Sequence, residues 1–180
     1  MRKVFITGIN RGLGRHLAEQ VLDAGGSVAG TTRHLAQLDD LKLRHGNRLL
    51  PLPLDVTDFD ALAAAVNSAF SAFGHIDAVI SNAGYSLLGA AEELTPAAIE
   101  KILATNLLAS IHLARSAVKL LREQGGGRLI QISSSCGQVG FPGLSLYCAS
   151  KWGIEGFFEA LAGEVAVFGI QTTLVQPGAI

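Results

Sequence analysis

Short apolar blocks alternate with longer amphipathic stretches along the chain. Six blocks have the length of a β-strand, and they cover residues 3–7, 27–32, 48–54, 76–81, 127–133 and 171–176. Most of them lack the strict polar alternation of a sheet that has one wet face. Apolar blocks of this length are typical of strands covered on both faces, so they predict a parallel sheet.

The stretches between these blocks carry apolar residues at helical spacing. Two such faces are Leu13, Leu17, Val21 and Ala24, and Leu62, Val66, Ala69 and Phe73. Thr57 and Thr95-Pro96 are helix start signals, and the pattern after Pro96 extends to about Gln124. Strands that alternate with helices predict a three-layer, doubly wound α/β sheet with strand order 3-2-1-4-5-6. We expect a single domain over residues 1–180.

The composition narrows the class of protein. The chain has 180 residues, of which 49% are hydrophobic and 16% charged, and its net charge is -1. This composition excludes a disordered chain and gives no electrostatic reason to expect a nucleic acid or an anionic membrane as partner. No continuous apolar run approaches the ~18 residues of a membrane-spanning helix.

The cysteines and the amino terminus bear on location. Cys136 and Cys148 are too few for a disulfide framework, and their neighbours lack metal-ligand spacing. Residues 1–3 lead directly into the first strand block, without the long apolar segment of a signal peptide. We therefore expect reduced thiols, no bound metal and a cytoplasmic location.

A glycine-rich turn joins the first predicted strand to the first helix. Its sequence is Thr7-Gly8-Ile9-Asn10-Arg11-Gly12-Leu13-Gly14. Gly8 permits a tight turn, Gly12 lets backbone approach a pyrophosphate, and Gly14 lets the helix pack close to the sheet. The amides that begin such a helix attract phosphate. The turn predicts dinucleotide binding, and the alternative is a plain connection between strand and helix.

The end of the second strand bears on the choice between NAD and NADP. An acidic residue there would bind the ribose hydroxyls of NAD and would repel a 2′-phosphate. In this chain Arg33 stands at that position, and no acidic residue follows before Asp39. Arg11 lies inside the glycine turn, and two guanidinium groups can bind one phosphate through charge-assisted hydrogen bonds. The pattern favours NADP(H), with two solvated surface arginines as the alternative.

Asp55 and Val56 follow the third strand, at the edge of the sheet where ligands bind. The Asp55 carboxylate has two possible roles. It can accept a hydrogen bond from the adenine amino group of a cofactor, or it can belong to the cap of the next helix.

Serine, tyrosine and lysine come together after the fifth strand. Ser133, Ser134 and Ser135 end that strand, and Tyr147 and Lys151 lie four residues apart, on one face of a helix that begins near residue 146. A phenol has a pKa near ~10, and a neighbouring ammonium has the right sign to lower it. The phenol can then exchange a proton with a reacting oxygen while a serine hydroxyl stabilises the oxyanion.

These motifs, in this order and spacing, resemble the short-chain dehydrogenase/reductase family over nearly the whole chain. The matching pieces are residues 7–14, Asn82-Ala83-Gly84, Asn106, Ser134, Tyr147 with Lys151, and Pro177-Gly178. The resemblance implies a Rossmann fold and an NADP(H)-dependent oxidoreductase. Its substrate would be a small carbonyl or alcohol compound, and the protein would form a homodimer or homotetramer.

The resemblance also implies roles for individual residues. The family serine lies thirteen positions before the tyrosine, which selects Ser134. The catalytic asparagine falls on Asn106, whose backbone carbonyl would hold a water linked to Lys151, and Lys151 would bond the nicotinamide ribose. The implied cofactor-binding set is Gly8, Asn10, Arg11, Gly12, Leu13, Gly14, Arg33, Asp55, Val56, Asn82, Ala83, Gly84, Tyr147, Lys151, Pro177 and Gly178.

One departure from the family pattern leaves the function open. Family members continue past the Pro-Gly turn through a substrate-covering loop and a seventh strand, whereas this sequence ends at Ile180. We expect the seventh strand to be absent and the substrate pocket to be incomplete. Two alternatives to an active enzyme therefore stand, a non-catalytic NADP(H)-binding regulatory protein and an inactive fragment.

Overall fold

The computed structural model describes residues 1–178, which contain a six-stranded parallel sheet. The strand order is 3-2-1-4-5-6, as the sequence predicts. The strands are β1 (Lys3–Ile6), β2 (Ser27–Thr32), β3 (Leu49–Pro53), β4 (Ala78–Ser81), β5 (Gly127–Ile132) and β6 (Ile170–Val175). Every strand overlaps its predicted block, so the doubly wound α/β fold is confirmed.

Helices cover both faces of the sheet. They are α1 (Gly12–Asp23), α2 (Asp39–His45), α3 (Phe59–Phe73), α4 (Pro96–Leu103), α5 (Ala109–Glu123) and α6 (Ser145–Val165). Side chains alternate along each strand. Val4 and Ile6 of β1 therefore join a core cluster with residues of α1 and α2, whereas Phe5 joins a larger cluster with residues of α3, α5 and α6.

One of the two predicted helix starts is confirmed, and the other lies one residue further along the chain. Thr95 caps α4 by accepting a hydrogen bond from the Ala98 amide, and Pro96 is the first helical residue. Thr57 is predicted to precede α3, with Asp58 already in the first turn, and this is wrong by one residue, because the Asp58 carboxylate accepts from the Ala61 amide and caps the helix. An aspartate is as good a cap as a threonine, so sequence alone does not separate the two.

The long helix predicted after Pro96 is interrupted. A π-helical turn, Ala104–Leu108, joins α4 to α5 and contains Asn106. A π turn inserts one extra residue into a helix and is frequent at functional sites. The whole segment Pro96–Glu123 is also long and apolar enough to cross a membrane. Its α5 part packs against α3 and β5 as a core helix does, so this finding is weak evidence for a membrane span.

The strand order places a switch point beside β1. Ile6 pairs with Gly30 of β2 on one side and with Ile80 of β4 on the other, and the connections leave β1 and β4 in opposite directions. The loops that follow β1 and β4 therefore run to opposite sides, and a crevice lies between them at the carboxyl edge of the sheet. The glycine turn follows β1 and the Asn82 segment follows β4, so both lie at this crevice.

Candidate active site

A cleft of about 660 Å³ opens along the carboxyl edge of the sheet. Segments that follow all six strands line it. The lining residues from the predicted cofactor set are Gly8, Asn10, Arg11, Gly12, Leu13, Gly14, Arg33, Asp55, Val56, Asn82, Ala83, Gly84, Pro177 and Gly178. Among the described residues, Ser134 is the only predicted catalytic residue that lines the cleft itself.

The glycine turn has the conformation that its three glycines allow. Gly8 and Gly12 have φ values of +74° and +57°, in the left-handed region that side chains disfavour. A Cβ built on Gly14 would lie 2.2 Å from the Gly8 carbonyl oxygen, so the first turn of α1 packs directly on the loop. A Cβ on Gly12 would meet no atom within 4 Å, which leaves the backbone open to the cleft.

Asn82 joins the end of β4 to the glycine turn. Its Nδ2 donates hydrogen bonds to the carbonyl oxygens of Thr7, at 2.9 Å, and Gly8, at 3.1 Å. The Thr7 hydroxyl accepts in return from the backbone amides of Asn82 and Ala83. The side chain of Asn82 therefore fixes the segment after β4 to the glycine turn. Ala83 and Gly84, the next two residues, line the cleft.

Basic residues surround one end of the cleft. Arg11, Arg33 and Lys101 all line it, and all three are exposed. Within residues 1–178, neither Arg11 nor Arg33 takes part in an ion pair or a side-chain hydrogen bond, so both guanidinium groups are available to a ligand. A phosphate group is the kind of ligand that such a pair binds.

Asp55 lies at the same end and is held in a local turn. Its Oδ1 accepts from the Thr57 amide, at 3.0 Å, and from the Thr57 hydroxyl, at 2.7 Å. These hydrogen bonds lower the pKa of Asp55, and the positive charges of Arg33 and Lys101 add to the effect. Of the two roles left open by the sequence, capping of α3 is excluded, because Asp58 fills it.

Asn106 faces the segment after β4. Its side chain accepts from the Tyr85 amide at 3.1 Å and donates to the Tyr85 carbonyl at 2.8 Å. The backbone carbonyl that the family pattern assigns to a water accepts from the Ser110 hydroxyl at 3.2 Å, and its second lone pair can accept another hydrogen bond. A Cβ on Gly84 would lie 3.1 Å from Asn106 Oδ1 and 3.8 Å from Lys151 Nζ, so this glycine lets both residues approach the cleft wall.

Lys151 is a buried cation directly behind that wall. It is 4% exposed, and its Nζ donates to the carbonyl oxygen of Ile132 at 2.9 Å. Nζ lies 5.7 Å from the centre of the Tyr147 ring, as expected for residues one turn apart on α6. Burial lowers the pKa of Lys151 to about 8, against the opposing effect of Glu155.

Ser134 follows β5 and lines the cleft. The serine oxygen accepts from the Cys136 amide at 3.2 Å and so caps a short turn, Ser135–Gly137. The hydroxyl proton remains available to a second partner, because a hydroxyl both donates and accepts. The amide of Ser135 donates to the Pro177 carbonyl at 3.0 Å, so the serine loop and the Pro-Gly turn are fixed to each other.

Comparison with known proteins identifies the family. A family model described as short chain dehydrogenase matches residues 2–180. The chain belongs to the short-chain dehydrogenase family. The oxidoreductase BOA17 of Botryotinia fuckeliana (strain B05.10) is 42% identical over 177 residues, which are 98% of this chain and 65% of that protein. The chain therefore spans about two thirds of the length of this relative.

Two solved structures of similar proteins have the same fold. A short-chain dehydrogenase from Streptomyces avermitilis superposes with a TM-score of 0.96 at 36% identity, over 100% of this chain and 67% of that one. The protein ElxO, solved with NADP bound, superposes with a TM-score of 0.93 at 29% identity, over 98% of this chain and 73% of that one.

Two residues at the cleft or beside Lys151 were not predicted from the sequence. Lys101 lines the basic end of the cleft, one helical turn before Thr105, which lines it too. Glu155 lies one turn after Lys151 and acts on its charge. Both residues lie four positions from another site residue, which places each pair on one helix face. A single Lys or Glu at that spacing is more often a solvated side chain, so the spacing alone does not identify it.

Proposed function

We propose that this chain carries the cofactor-binding and catalytic part of an NADP(H)-dependent oxidoreductase that interconverts a carbonyl compound and a secondary alcohol. The observation that carries the proposal is the buried ammonium of Lys151, which lies one helical turn from Tyr147 and bonds to the carbonyl of Ile132, two residues before Ser134. A phenol, an ammonium and a hydroxyl are the groups that carbonyl reduction needs.

The glycine turn and the basic end of the cleft fit a dinucleotide with a 2′-phosphate. The uncovered backbone at Gly12 leaves room for a pyrophosphate at the start of α1, where the helix amides attract anions. Arg11 and Arg33 have no competing carboxylate within ion-pair distance in the described residues. Binding of NADP by ElxO, a structural relative, supports the same choice.

Two side chains of this chain would handle the reacting oxygen. A nicotinamide held in the cleft would supply or accept the hydride. During reduction the Tyr147 hydroxyl donates its proton to the carbonyl oxygen, and during oxidation the phenolate takes that proton back. The Ser134 hydroxyl donates a hydrogen bond to the oxygen as negative charge develops.

The charge of Lys151 sets the pH range of the reaction. Its ammonium stabilises the phenolate that forms at Tyr147. Because burial lowers the pKa of Lys151 from 10.5 to about 8, this ammonium is lost as the pH rises through about 8. The rate of reduction should therefore fall above pH 8.

The surroundings of the site favour an apolar substrate. Leu88, Val139 and Phe141 are exposed large apolar side chains on the two loops next to the site. The loops are joined by a hydrogen bond from the Gly89 amide to the Gly143 carbonyl at 2.9 Å. Exposed apolar side chains of this kind suit the hydrophobic part of a ketone or secondary alcohol.

Fluorescence titration with NADPH and NADH tests the cofactor assignment. We expect NADPH to bind at least about tenfold more tightly, because hydrogen bonds to a charged phosphate contribute about 1.5–3 kcal/mol each. Tighter binding of NADH would contradict the assignment, and binding of neither would contradict the function as a whole.

The variant Tyr147→Phe tests the proton donor. Its turnover with NADPH and an aryl alkyl ketone should fall by about 100-fold or more, whereas its affinity for NADPH should stay within about twofold of the wild-type value. Cys148→Ala alters the next residue of α6, which contacts Val139 and has no proposed role in the reaction. It should keep near wild-type turnover, and full activity of Tyr147→Phe would refute the mechanism.

A further inference from the structure

Glu155 is a buried carboxylate on the helix that carries Tyr147 and Lys151. It is 6% exposed. It follows Lys151 by four residues, as Lys151 follows Tyr147, so the three side chains share one face of α6. A buried carboxylate is stable only where hydrogen bonds or charges compensate for its lost hydration, so its partners indicate its role.

Three side-chain donors from three different segments hold this carboxylate. The hydroxyl of Ser133 donates to Oε1, and the amide groups of Gln138 and Gln176 donate to Oε2. Ser133 follows β5, Gln138 follows the short turn after Ser134, and Gln176 follows β6. The carboxylate therefore connects α6 to the ends of two adjacent strands.

The packing against the carboxylate leaves no space for a side chain at residue 137. A Cβ built on Gly137 would lie 2.1 Å from Glu155 Oε1. The loop that follows Ser134 thus lies directly against the carboxylate. Charge-assisted hydrogen bonds in such a buried site are stronger than those between neutral groups, so they restrict the loop.

The donors are neighbours of the proposed reaction centre. Ser133 precedes Ser134, and Gln176 precedes Pro177. The carboxylate therefore connects three parts of the proposed site. It fixes the loop of Ser134 and the Pro177 turn, which lines the cleft, to the helix that carries Tyr147. A shift of about 1 Å between such groups is enough to lower a rate about 100-fold.

Glu155 also acts on the charge of Lys151. Its negative charge opposes the effect of burial, which lowers the pKa of Lys151 to about 8. The other titratable groups that face Lys151 are Tyr147 on α6 and the thiol of Cys136 from the turn after β5. Burial raises the pKa of the Cys136 thiol, so that group is neutral at pH 7.

We propose that Glu155 is a positioning residue, which fixes the Ser134 loop and the Pro177 turn to the helix of Tyr147 and Lys151 and keeps Lys151 protonated at neutral pH. The part of this proposal that concerns turnover rests on the proposed function. Its effect on Lys151 is independent of any substrate.

The variant E155Q keeps the shape of the side chain and removes its charge. We expect kcat for ketone reduction to fall at least about tenfold, with the affinity for NADPH within about twofold of wild type. Without the negative charge Lys151 should lose its proton at lower pH, so the decline of activity at alkaline pH should move down by about one pH unit. The control is E159Q, which alters an exposed glutamate one turn further along α6.

A titration of Lys151 by NMR separates this proposal from the proposed function. Protein labelled with 13C at the lysine ε-carbon, with the signal assigned by Lys151→Arg, reports the protonation of Lys151 directly. In E155Q the midpoint should lie about one pH unit below that of the wild type, and in E159Q it should not change. If the wild type reduces no carbonyl compound, the proposed function fails, and the NMR midpoint still decides the role of Glu155.

The double variant Gln138→Ala/Gln176→Ala separates position from charge. Both glutamines are exposed, so their removal leaves the core intact. This variant should lower kcat while the Lys151 midpoint stays near the wild-type value. It also replaces E155Q if that variant does not fold. Two results together would overturn the proposal: a wild-type kcat in the double variant and an unchanged Lys151 midpoint in E155Q. If E155Q is insoluble, a wild-type kcat in the double variant is enough to overturn it.

Discussion

At the scale of single residues, Lys151 shows a conflict between stability and chemistry. Its side chain is almost fully buried, yet its one hydrogen bond is to a neutral carbonyl, that of Ile132. The difference between a pKa of 10.5 and one of about 8 corresponds to roughly 3 kcal/mol of unfavourable free energy for the charged form. A cation is retained here at the expense of stability, as is common at functional sites.

The variant Lys151→Met should therefore be more stable than the wild type at pH 7, by about 1–3 kcal/mol in the free energy of unfolding. The Ile132 carbonyl would keep a donor, because Gln131 Nε2 also bonds to it at 2.8 Å. The pKa of Lys151 is lowered in the folded state, so the penalty is complete below about pH 8 and disappears as the pH rises toward 10.5. Urea unfolding at pH 7 and pH 10 measures this, and a gain that grows with pH would contradict it.

At the scale of elements, the glycine turn and the Asn82 segment form one unit. Gly14 lies against both parts, since a Cβ there would be 2.2 Å from the Gly8 carbonyl oxygen and 2.4 Å from Asn82 Nδ2. The two loops at the switch point are thus fixed to each other before any ligand binds. Such preorganisation lowers the entropic cost of binding.

The variant Gly14→Ala should lower both the stability and the affinity for NADPH. The new methyl group would displace the Gly8 carbonyl or the Asn82 amide, at a cost of about 1–3 kcal/mol. The matched control is Gly163→Ala on α6, where a Cβ meets nothing within 4 Å. Alanine there should raise the stability by about 0.5–1 kcal/mol, because glycine is a poor helix former. Thermal unfolding and NADPH titration of both variants provide the test, and equal behaviour would refute the role of Gly14.

The elements that sequence predicts well are those set by periodicity. The block 27–32 coincides with β2, because strand length and burial are visible in the pattern of apolar residues. The π turn around Asn106 is not visible in that pattern, because the apolar spacing on both sides is helical. It follows from tertiary contacts, in which the Asn106 side chain bonds to the backbone of Tyr85.

The candidate site also has a part that the sequence predicts and a part that only the structure reveals. The glycine turn and the pair Tyr147 and Lys151 have local spacings that carry their chemistry, so sequence finds them. Glu155 becomes recognisable only through its partners, which come from residues 133, 138 and 176. Contacts between distant segments cannot be derived from the spacing of residues along one helix.

At the scale of the whole molecule, the sheet brings the ends of six strands to one cleft. The chain segments that line it start at Gly8 and end at Gly178. A ligand that spans this cleft contacts loops from nearly the full length of the described chain. Unfolding would destroy all of these contacts together, so binding and folding are linked.

NADPH should therefore raise the melting temperature of the whole molecule. At a concentration of 100 times its Kd, a ligand that binds only the folded state adds about 2.7 kcal/mol, which for a chain of this size is a rise of about 5–10 °C. The double variant Arg11→Ala/Arg33→Ala should lose most of this rise at the same NADPH concentration, because both exposed guanidinium groups line the cleft. Its response to NADH should change little, since NADH has no 2′-phosphate for these groups to bind. Equal stabilisation of the wild type and the double variant by NADPH would show that these arginines do not bind the cofactor.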